Sequence, residues 1–402
     1  MKKIVALVLA LVLCLTAAAS LADGIAKEDI KLGIITLHDE QSTYDKNFID
    51  SAKQAAANLG LAEEQVIIVS GIPESDECRQ KALDLVDEGC NIIFADSFGH
   101  EDFMIEAAKE YPEVTFAHAT GTKAHTENLA NFHNAFASIY EGRYLAGVAA
   151  GLKLNEIKAA GNLKGEVPMI GYVGAFTYAE VISGYTSFYL GAKSVCPDVI
   201  MKVQFTGSWY DEIGEKAAAE ALINAGADLI SQHADSMGAP TACESAGIPN
   251  ISYNGSTVDA CPNTFIVASK IDWAPYFEYL VNQTIAGEEI KTDWTGTIET
   301  GSVVLTDVNE AAAAEGTVAK IEEVKAELLA GTRKVFDTAT EGFITVDGKP
   351  VTSRLADVDT DAAFTPDTEA VADGYFHESE FRSAPYFDLT IDGIELLNTN
   401  FG

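Results

Sequence analysis

Short apolar runs alternate with longer amphipathic stretches along the chain from about residue 31. The runs lack the polar–apolar alternation of a half-exposed strand, so they are typical of strands buried on both faces of a parallel sheet. They cover residues 32–37, 66–69, 92–95, 114–117, 169–173, 199–205, 229–231, 251–253 and 265–268. Between them, apolar side chains recur at helical spacing, as Leu145, Val148, Ala149 and Leu152 do. This alternation predicts βαβ units and an α/β fold.

Nine such strands exceed one compact doubly wound domain. A break lies near residues 154–167, where Asn155, Gly161 and Gly165 interrupt the pattern. The economical interpretation is two doubly wound parallel-sheet lobes joined by a hinge. Ligands of open parallel sheets bind beyond the carboxyl ends of the strands, so two facing lobes predict an interlobe cleft. We assign residues 27–153 to lobe 1, with about 258–290 returning to it, 166–257 to lobe 2, with about 300–350 returning to it, and 351–402 to a C-terminal extension.

The pattern changes after about residue 300. Residues 309–330 are rich in Ala, Glu and Lys and predict a helix. Residues 343–351 predict a hairpin that turns at Asp347-Gly348, a dipeptide that accepts the positive φ angles of a tight turn. The remainder is acidic and less regular.

The first residues predict an export signal over residues 1–22. Lys2 and Lys3 precede an apolar run over residues 4–15, and Ser20-Leu21-Ala22 is a small-x-small cleavage site. We therefore expect an extracytoplasmic protein, whether periplasmic, secreted or associated with the cell surface. A lipid anchor on Cys14 is an alternative, but a small residue should precede such a cysteine and Leu13 is not small.

Charge and cysteine content narrow the choice of partners. The formal net charge of −35 argues against nucleic acid and against anionic membrane surfaces. An odd number of cysteines follows the signal, so at least one thiol stays unpaired. Local disulfides between Cys78 and Cys90 and between Cys243 and Cys261 are one interpretation, and buried free thiols are the other. We expect a monomer.

Catalytic and metal-binding motifs are absent from the sequence. It contains no Gly-x-Ser-x-Gly, His-Glu-x-x-His, Walker or Gly-x-Gly-x-x-Gly pattern. Asp357, Asp359 and Asp361 begin like a calcium loop, but Ala362 and Thr368 replace the required glycine and glutamate. We therefore expect a protein that is not an enzyme, with no catalytic residue, no metal and no cofactor.

Polar and aromatic residues that packing does not require follow many of the predicted strands. They form the segments 42–47, 96–99, 116–121, 140–147, 178–182, 207–211, 232–236 and 254–256. Among them are a Glu-Gly-Arg-Tyr-Leu-Ala-Gly helix from Glu141, a Trp-Tyr-Asp helix start at Trp209, and a His-x-Asp-Ser run at His233.

In this order and spacing, the segments resemble the basic membrane protein (BMP) family of substrate-binding proteins of ABC importers, over about residues 31–350. The resemblance is greatest to the branch that binds purine bases or nucleosides. It implies a type I periplasmic-binding-protein-like fold and an ABC transporter permease as partner. It also implies capture of a purine base or nucleoside in the interlobe cleft.

A purine site needs aromatic faces and a few fixed polar groups, since base–aromatic stacking contributes roughly 1–3 kcal/mol per base. Trp209 with Tyr44 or Phe98 would then clamp the ring. Polar groups would contact the rim of the base or the sugar hydroxyls. The complete set of expected ligand-binding residues is Tyr44, Asn47, Ser97, Phe98, Tyr178, Glu180, Trp209, His233, Asp235 and Asn254.

Most of these residues also allow a purely structural interpretation. Trp209 can pack on its own lobe at a helix start, and Asp235 can be the N-cap of the next helix. His233 can be a hydrogen-bonded core histidine, and Glu180 can cap a helix or form a salt bridge. We expect Arg143 to be structural.

Other functions of the same fold stay open at the sequence level. A sugar or autoinducer receptor would also use aromatic platforms, and a sensor ectodomain would share the ligand-binding lobes. A secreted nucleoside hydrolase is disfavoured, because it needs a cluster of calcium-binding aspartates at a strand end that the sequence lacks.

Overall fold

The structure is a computed structural model that describes residues 24–358 and 365–401. The expected signal peptide, with Cys14, lies outside the described residues, as do Asp359 and Asp361 of the calcium-like run. The chain forms two compact units. The first contains the described residues to His38, Phe48–Ala135 and Trp273–Trp294, and the second contains Asp39–Asn47, Phe136–Asp272 and the described residues from Thr295 onward.

The elements alternate as the hydrophobic pattern predicts. The main strands are β1 (Leu32–Ile35), β2 (Val66–Val69), β3 (Ile92–Ala95), β4 (Thr115–Ala119), β5 (Phe132–Ala137), β6 (Met169–Gly174), β7 (Ile200–Phe205), β8 (Leu229–His233), β9 (Asn250–Tyr253), β10 (Phe265–Ile271), β11 (Asp293–Gly296) and β12 (Val303–Leu305). Shorter strands follow: β13 (Thr345–Val346), β14 (Lys349–Pro350), β15 (Leu355–Ala356), β16 (Thr368–Glu369), β17 (Val371–Ala372), β18 (Tyr375–Phe376) and β19 (Ile394–Leu396).

The helices connect these strands. They are α1 (Thr43–Leu59), α2 (Asp76–Asp87), α3 (Glu101–Glu110), α4 (Ala124–Glu127), α5 (Ile139–Ala159), α6 (Ala179–Val195), α7 (Glu212–Asn224), α8 (Gly238–Ala246), α9 (Ala274–Ala286) and α10 (Thr317–Leu329). Short 3₁₀ helices cover Lys27–Asp29, Glu63–Gln65 and Phe98–His100.

The first unit is built on a six-stranded sheet in the order β11-β5-β4-β3-β1-β2. Strands β1 to β5 are parallel, and β1 lies between β2 and β3 with Leu32 opposite both Val66 and Ile92. Its core packs Ile93, Phe116 and Phe132 without exposed surface. The carboxyl ends of the parallel strands therefore share one edge of the sheet, and the loops that follow them meet there.

The second unit is built on a seven-stranded sheet in the order β12-β10-β9-β8-β6-β7-β19. All neighbours are parallel except β10 and β12, which are antiparallel. Strands β6, β8 and β9 are buried over their whole length, as continuous apolar runs predict. The predicted α/β fold with parallel sheets is confirmed.

The compact units divide the chain differently from the expected lobes. Helix α5, placed in lobe 1 from the sequence, lies in the second unit, because it packs along α6. Residues 258–272, expected to return to lobe 1, also lie in the second unit, where β10 pairs with β9. The described part of the C-terminal extension belongs to the same unit, to which it adds β19.

Two further predictions concern the region after residue 300. The hairpin is confirmed: β13 and β14 pair antiparallel around Asp347 and Gly348, which both have positive φ. The helix predicted over residues 309–330 is too long, since α10 begins only at Thr317. Gly316 before it has a φ of 82°, which interrupts a helix.

The five described cysteines are buried free thiols. The local disulfides Cys78–Cys90 and Cys243–Cys261 are therefore not formed, and the free-thiol interpretation holds. Burial raises the pKa of Cys90 to about 11, which keeps this thiol protonated and unreactive at neutral pH. Among the described residues, no helix combines the length and the apolarity needed to cross a membrane.

Candidate functional site

Three loops at the carboxyl edge of the second sheet are tied together by backbone hydrogen bonds. The loop after β6 is bound to β8 by Ala175 N, which donates to His233 O over 3.0 Å. Gly207 N after β7 donates to Ala175 O over 2.8 Å. Asp235 N after β8 donates to Trp209 O over 3.0 Å. The loops therefore form one connected surface that positions the side chains described next.

Aromatic rings cluster on two of these loops. Phe176 and Tyr178 stack with centroids 5.1 Å apart and an interplanar angle of 21°. Trp209 packs edge-on against Phe176 at 5.0 Å and lies 6.0 Å from Tyr178. All three side chains are half-buried. Sequence reasoning missed Phe176, although an aromatic residue two positions beyond a buried strand was a usable signal.

Trp209 packs on rings of its own unit, as its structural interpretation expects, but it does not cap helix α7. Helix α7 has Asp211 as its N-cap, whose Oδ1 accepts a hydrogen bond from Gly214 N over 2.9 Å. The indole ring is thus not required to begin the helix. Its contacts are with the other two rings of the aromatic cluster.

The buried His233 and the half-buried Glu180 form a pair beside this cluster. His233 Nε2 lies 3.3 Å from Glu180 Oε1, and the imidazole is 2% exposed. Burial lowers the pKa of His233, and the neighbouring Glu180 carboxylate opposes that shift. The Tyr253 ring lies 4.5 Å from the imidazole, centroid to centroid. His233 Nδ1 and the Tyr253 hydroxyl are buried with no hydrogen-bond partner among the described residues.

Asp235 and Asn254 supply a second polar group at the ends of β8 and β9. Burial raises the pKa of Asp235 well above its ordinary value, and the nearby acids Asp45 and Glu215 add to the shift. Asp235 is not a helix N-cap, because α8 begins at Gly238. Asn254 has a left-handed φ of 63°, and its side chain interacts with Asp235 and opposes the rise in that pKa, although its buried Nδ2 makes no hydrogen bond of good geometry within the described part of the chain.

Tyr44 and Asn47 lie in the first turns of α1 and not in the connection between β1 and that helix. Helix α1 begins at Thr43, whose N donates to Asp235 O over 3.1 Å. This bond fixes the helix start against the loop after β8. Asn47 Nδ2 lies 3.4 Å from Asn254 Oδ1, at the long end of the hydrogen-bond range.

Ser97 and Phe98 belong to the first unit, at the carboxyl end of β3. The Ser97 hydroxyl donates to Glu74 Oε1 over 2.6 Å, and Gly99 N donates to the same oxygen over 2.7 Å. Phe98 is half-buried at the start of a 3₁₀ helix. The hydroxyl of Ser97 therefore already donates its hydrogen bond within the first unit. The other eight expected ligand-binding residues all lie in the second unit.

Arg143 is buried in the second unit, and its hydrogen-bond partners within the described ranges include no carboxylate. Its Nη2 donates to the Tyr172 hydroxyl and to Gln232 O, and its guanidinium lies 4.6 Å from the centroid of the Tyr253 ring. Nε and Nη1 are buried without partners among the described residues. Arg143 thus contacts both strands that carry His233 and Tyr253, and its structural role stays a prediction.

The donor set offers no metal centre. Among residues 24–358 and 365–401, no group of three or more His, Cys, Asp and Glu side chains converges closely enough to hold a metal ion. The chemistry of the site is therefore that of aromatic faces beside neutral or anionic hydrogen-bonding groups.

Residues 33–332 match the Bmp family, described as ABC transporter substrate-binding protein PnrA-like. A purine-binding protein of Brucella abortus is 33% identical over 63% of this chain and 68% of its own length. A Haloferax volcanii protein, named as an ABC transporter glucose-binding protein, is 33% identical over 54% of this chain and 51% of its own length. The nucleoside-binding protein BmpA of Lactococcus lactis is 28% identical over 56% of this chain and 61% of its own length.

Among solved structures, a solute-binding protein of an ABC transporter system from Conexibacter woesei superimposes with a TM-score of 0.61. It is 20% identical and covers 76% of this chain and 98% of its own, so the similarity shows the fold. Substrate-binding proteins of ABC transporters work outside the cytoplasmic membrane, where they bind a small molecule and a permease. The family match covers most of the chain, which therefore belongs to the Bmp family and is an ABC transporter substrate-binding protein of the PnrA-like type.

Proposed function

We propose that this protein captures a purine base or a nucleoside and delivers it to the permease of an ABC importer, as a monomer and without catalysing a reaction. The observation that supports the proposal is the position of an aromatic cluster directly beside buried polar groups whose hydrogen-bonding capacity is unused. The cluster lies on the loops after β6 and β7, and the polar groups lie at the carboxyl ends of β8 and β9 in the same sheet.

The aromatic cluster suits a flat heterocycle. Phe176, Tyr178 and Trp209 are half-buried, so each keeps surface that a ligand ring can cover. Stacking of one base on an aromatic side chain contributes roughly 1–3 kcal/mol, which is 5- to 150-fold in affinity at about 1.4 kcal/mol per tenfold. We assign the stacking role to Trp209, supported by Tyr178.

The polar groups suit the rim of a purine. Native proteins rarely leave buried polar atoms unpaired, so such atoms near a strand end indicate an absent partner. Asn254 Nδ2 can donate to a ring nitrogen or a carbonyl, and Asp235 can accept from an exocyclic amine or a ribose hydroxyl. Glu180 holds the imidazole through Nε2 and Nδ1 lies against Gly184 of α6, so His233 would contact the ligand through the rest of its ring.

The relatives named as purine-binding and nucleoside-binding support this ligand class. The relative named as glucose-binding supports a sugar as the second candidate. Tyr44, Asn47, Ser97 and Phe98 stay predicted ligand contacts. Of these, Ser97 could contribute only an acceptor without breaking its bond to Glu74.

Calorimetric titration of the exported chain with adenine, adenosine, guanosine, inosine and glucose tests the proposal. We expect micromolar or tighter binding of at least one purine and none of glucose. Trp209→Ala should weaken that binding by about 5- to 150-fold, because it removes one stacking face. Phe381→Ala is the matched control, since this ring of the second unit is 50% exposed and lies outside the three loops.

Two outcomes would contradict the ligand assignment. One is binding of glucose with no heat from any purine. The other is a Trp209→Ala variant with unchanged purine affinity. Release of free base from inosine during a long incubation would contradict the non-catalytic role, and a dimer mass by light scattering would contradict the monomer.

A further inference from the structure

The segment after residue 392 lies beyond the family match, which ends at residue 332, and it reaches the loops of the candidate site. Strand β19 adds to the sheet edge parallel to β7, with Ile394 opposite Met201 and Leu396 opposite Val203. Leu397 N continues this ladder by donating to Val203 O over 2.8 Å.

Beyond β19, a side chain replaces the backbone as the partner of β7. Asn398 Oδ1 accepts from Phe205 N over 2.7 Å, and Asn398 Nδ2 donates to Phe205 O over 2.9 Å. Both backbone groups of the last residue of β7 are thus satisfied by one amide side chain. This pairing fixes the point from which the loop to Trp209 departs.

Phe401 then contacts two of the three loops. Its carbonyl oxygen accepts from Thr177 N and from Thr177 Oγ1, each over 2.6 Å. Its ring lies against Gly207, where an added Cβ would be 2.5 Å from Phe401 Cδ1, and the φ of 78° at this glycine also disfavours other residues. Thr177 stands between Phe176 and Tyr178, and Gly207 is two residues before Trp209.

We infer that residues 394–401, which we call the edge clamp, position the aromatic cluster for ligand binding. The inference rests on the proposed function, because it concerns the same site. Contacts from one segment to Phe205, Thr177 and Gly207 fix the loops after β6 and β7 before the ligand arrives. A loop that is already ordered does not lose that conformational freedom on binding, so affinity rises without any direct contact between clamp and ligand.

A purely protective role gives different expectations. Added edge strands also cover the unpaired backbone of a sheet and prevent association with other chains. If that were the whole role, loss of residues 398–401 would change solubility or thermal stability, while ligand affinity and loop order would stay the same.

Variants of the full chain separate these roles. The first is a truncation after Leu397, which keeps β19, and the second is Asn398→Ala. The third is Thr177→Val, which removes the hydroxyl donor, with Thr177→Ser as the conservative variant that retains it. Phe381→Ala again serves as the control outside the site. Two quantities are measured for each: adenine affinity by calorimetry, and amide hydrogen exchange of residues 175–178 and 206–210 without ligand.

We expect the truncation to weaken adenine binding about tenfold or more and to accelerate exchange in both loops. Thr177→Val should weaken it about two- to tenfold, the contribution of one hydrogen bond, and Thr177→Ser should restore it. Unchanged affinity and unchanged exchange in the truncated and Asn398→Ala proteins would overturn the edge clamp. If the truncated chain does not fold, the two point variants still decide.

The exchange measurement also separates this inference from the proposed function. If the unaltered protein binds no purine, the ligand assignment fails. Faster exchange of residues 175–178 and 206–210 in the variants would then still support the clamp, and unchanged exchange would overturn it.

Discussion

At the residue scale, a single glycine determines how the imidazole of His233 is oriented in the candidate site. Gly184 in α6 lies against the imidazole, and a Cβ at this position would be 2.4 Å from His233 Nδ1. The Tyr253 ring closes another side of the imidazole at 4.5 Å, so the ring has little room to move away. The orientation of His233 toward Glu180 therefore depends on the absence of a side chain at position 184.

Gly184→Ala should improve helix propensity and still destabilise the protein. Alanine is favoured over glycine within a helix by about 1 kcal/mol, but the methyl group must displace His233, and overpacking costs roughly 1–3 kcal/mol. We expect a lower free energy of unfolding in urea and weaker purine binding by calorimetry. Ser194→Ala in the same helix is the control. Unchanged affinity in Gly184→Ala would show that the position of His233 does not matter to the ligand.

At the element scale, helices α5 and α6 approach each other so closely that backbone lies against backbone at two glycines. A Cβ on Gly147 would be 2.0 Å from Phe188 O, and a Cβ on Gly191 would be 2.0 Å from Tyr144 O. Helix α5 carries Arg143, and α6 begins at the Tyr178 loop and carries Glu180. Close approach of the two helices therefore fixes parts of the candidate site relative to each other.

Gly147→Ala should force this helix pair apart. Because the clash is with a carbonyl oxygen and not with the end of a flexible side chain, the free energy of unfolding should fall by about 1–3 kcal/mol or more. Urea denaturation followed by circular dichroism measures the change. Gly165→Ala is a suitable control, since the nearest described atom to the added Cβ is Val167 O, at 3.8 Å. Equal stability of the two variants would contradict the backbone contact.

The strands could largely be predicted from the sequence because buried parallel strands are apolar throughout. Residues 66–69 and 92–95 coincide with β2 and β3. Strand β5 was missed because His133 and Asn134 break its apolar run. Both are buried and have tertiary partners: Asn134 Nδ2 donates to Glu101 Oε1 over 3.1 Å, and His133 Nδ1 lies 3.2 Å from Lys291 O. Such partners lie far away in sequence and leave no local signal.

The candidate site was predictable only in outline. The rule that functional residues follow parallel strands identified the loops of His233, Trp209 and Tyr178. It could not reveal that Ser97 is bonded to Glu74, which lies 23 residues earlier, or that Tyr253 at the end of its strand faces the imidazole. Burial and pairing of polar groups depend on the packed fold, and no spacing in the sequence encodes them.

At the scale of the whole molecule, burial raises the pKa values of some side chains and lowers those of others. It raises the pKa of Glu141, Glu215 and Glu378 from 4.5 to about 7. It lowers the pKa of His118 and His133 from 6.5 to about 4. The native state thus binds protons on the acids more tightly than the unfolded chain does, and on the histidines less tightly. The acids reduce stability as the pH rises from about 4.5 to 7, and the histidines reduce it as the pH falls from 6.5 towards 4.

Glu378→Gln should reduce the loss of stability that the buried acids cause as the pH rises. The amide resembles the protonated acid, so the variant should not show the loss of up to about 3 kcal/mol that deprotonation of a buried carboxyl entails. Free energies of unfolding in urea at pH 5 and pH 8 give the slope for each protein. Glu220→Gln, at an exposed position of α7, is the control and should keep the slope of the unaltered protein. An identical slope in Glu378→Gln would show that this carboxyl does not titrate between the two values.

The pairing of β7 with β19 also has a kinetic consequence. Asn398 and Phe205 are 193 residues apart, and their contact closes one of the longest loops in the chain. Contacts of such large sequence separation form late. The chain loses the entropy of closing the loop before the contact contributes any stabilising free energy. We therefore expect refolding to populate an intermediate in which the second sheet has formed but the loops after β6 and β7 are not yet ordered. Ligand capture should then recover more slowly than secondary structure when denaturant is diluted.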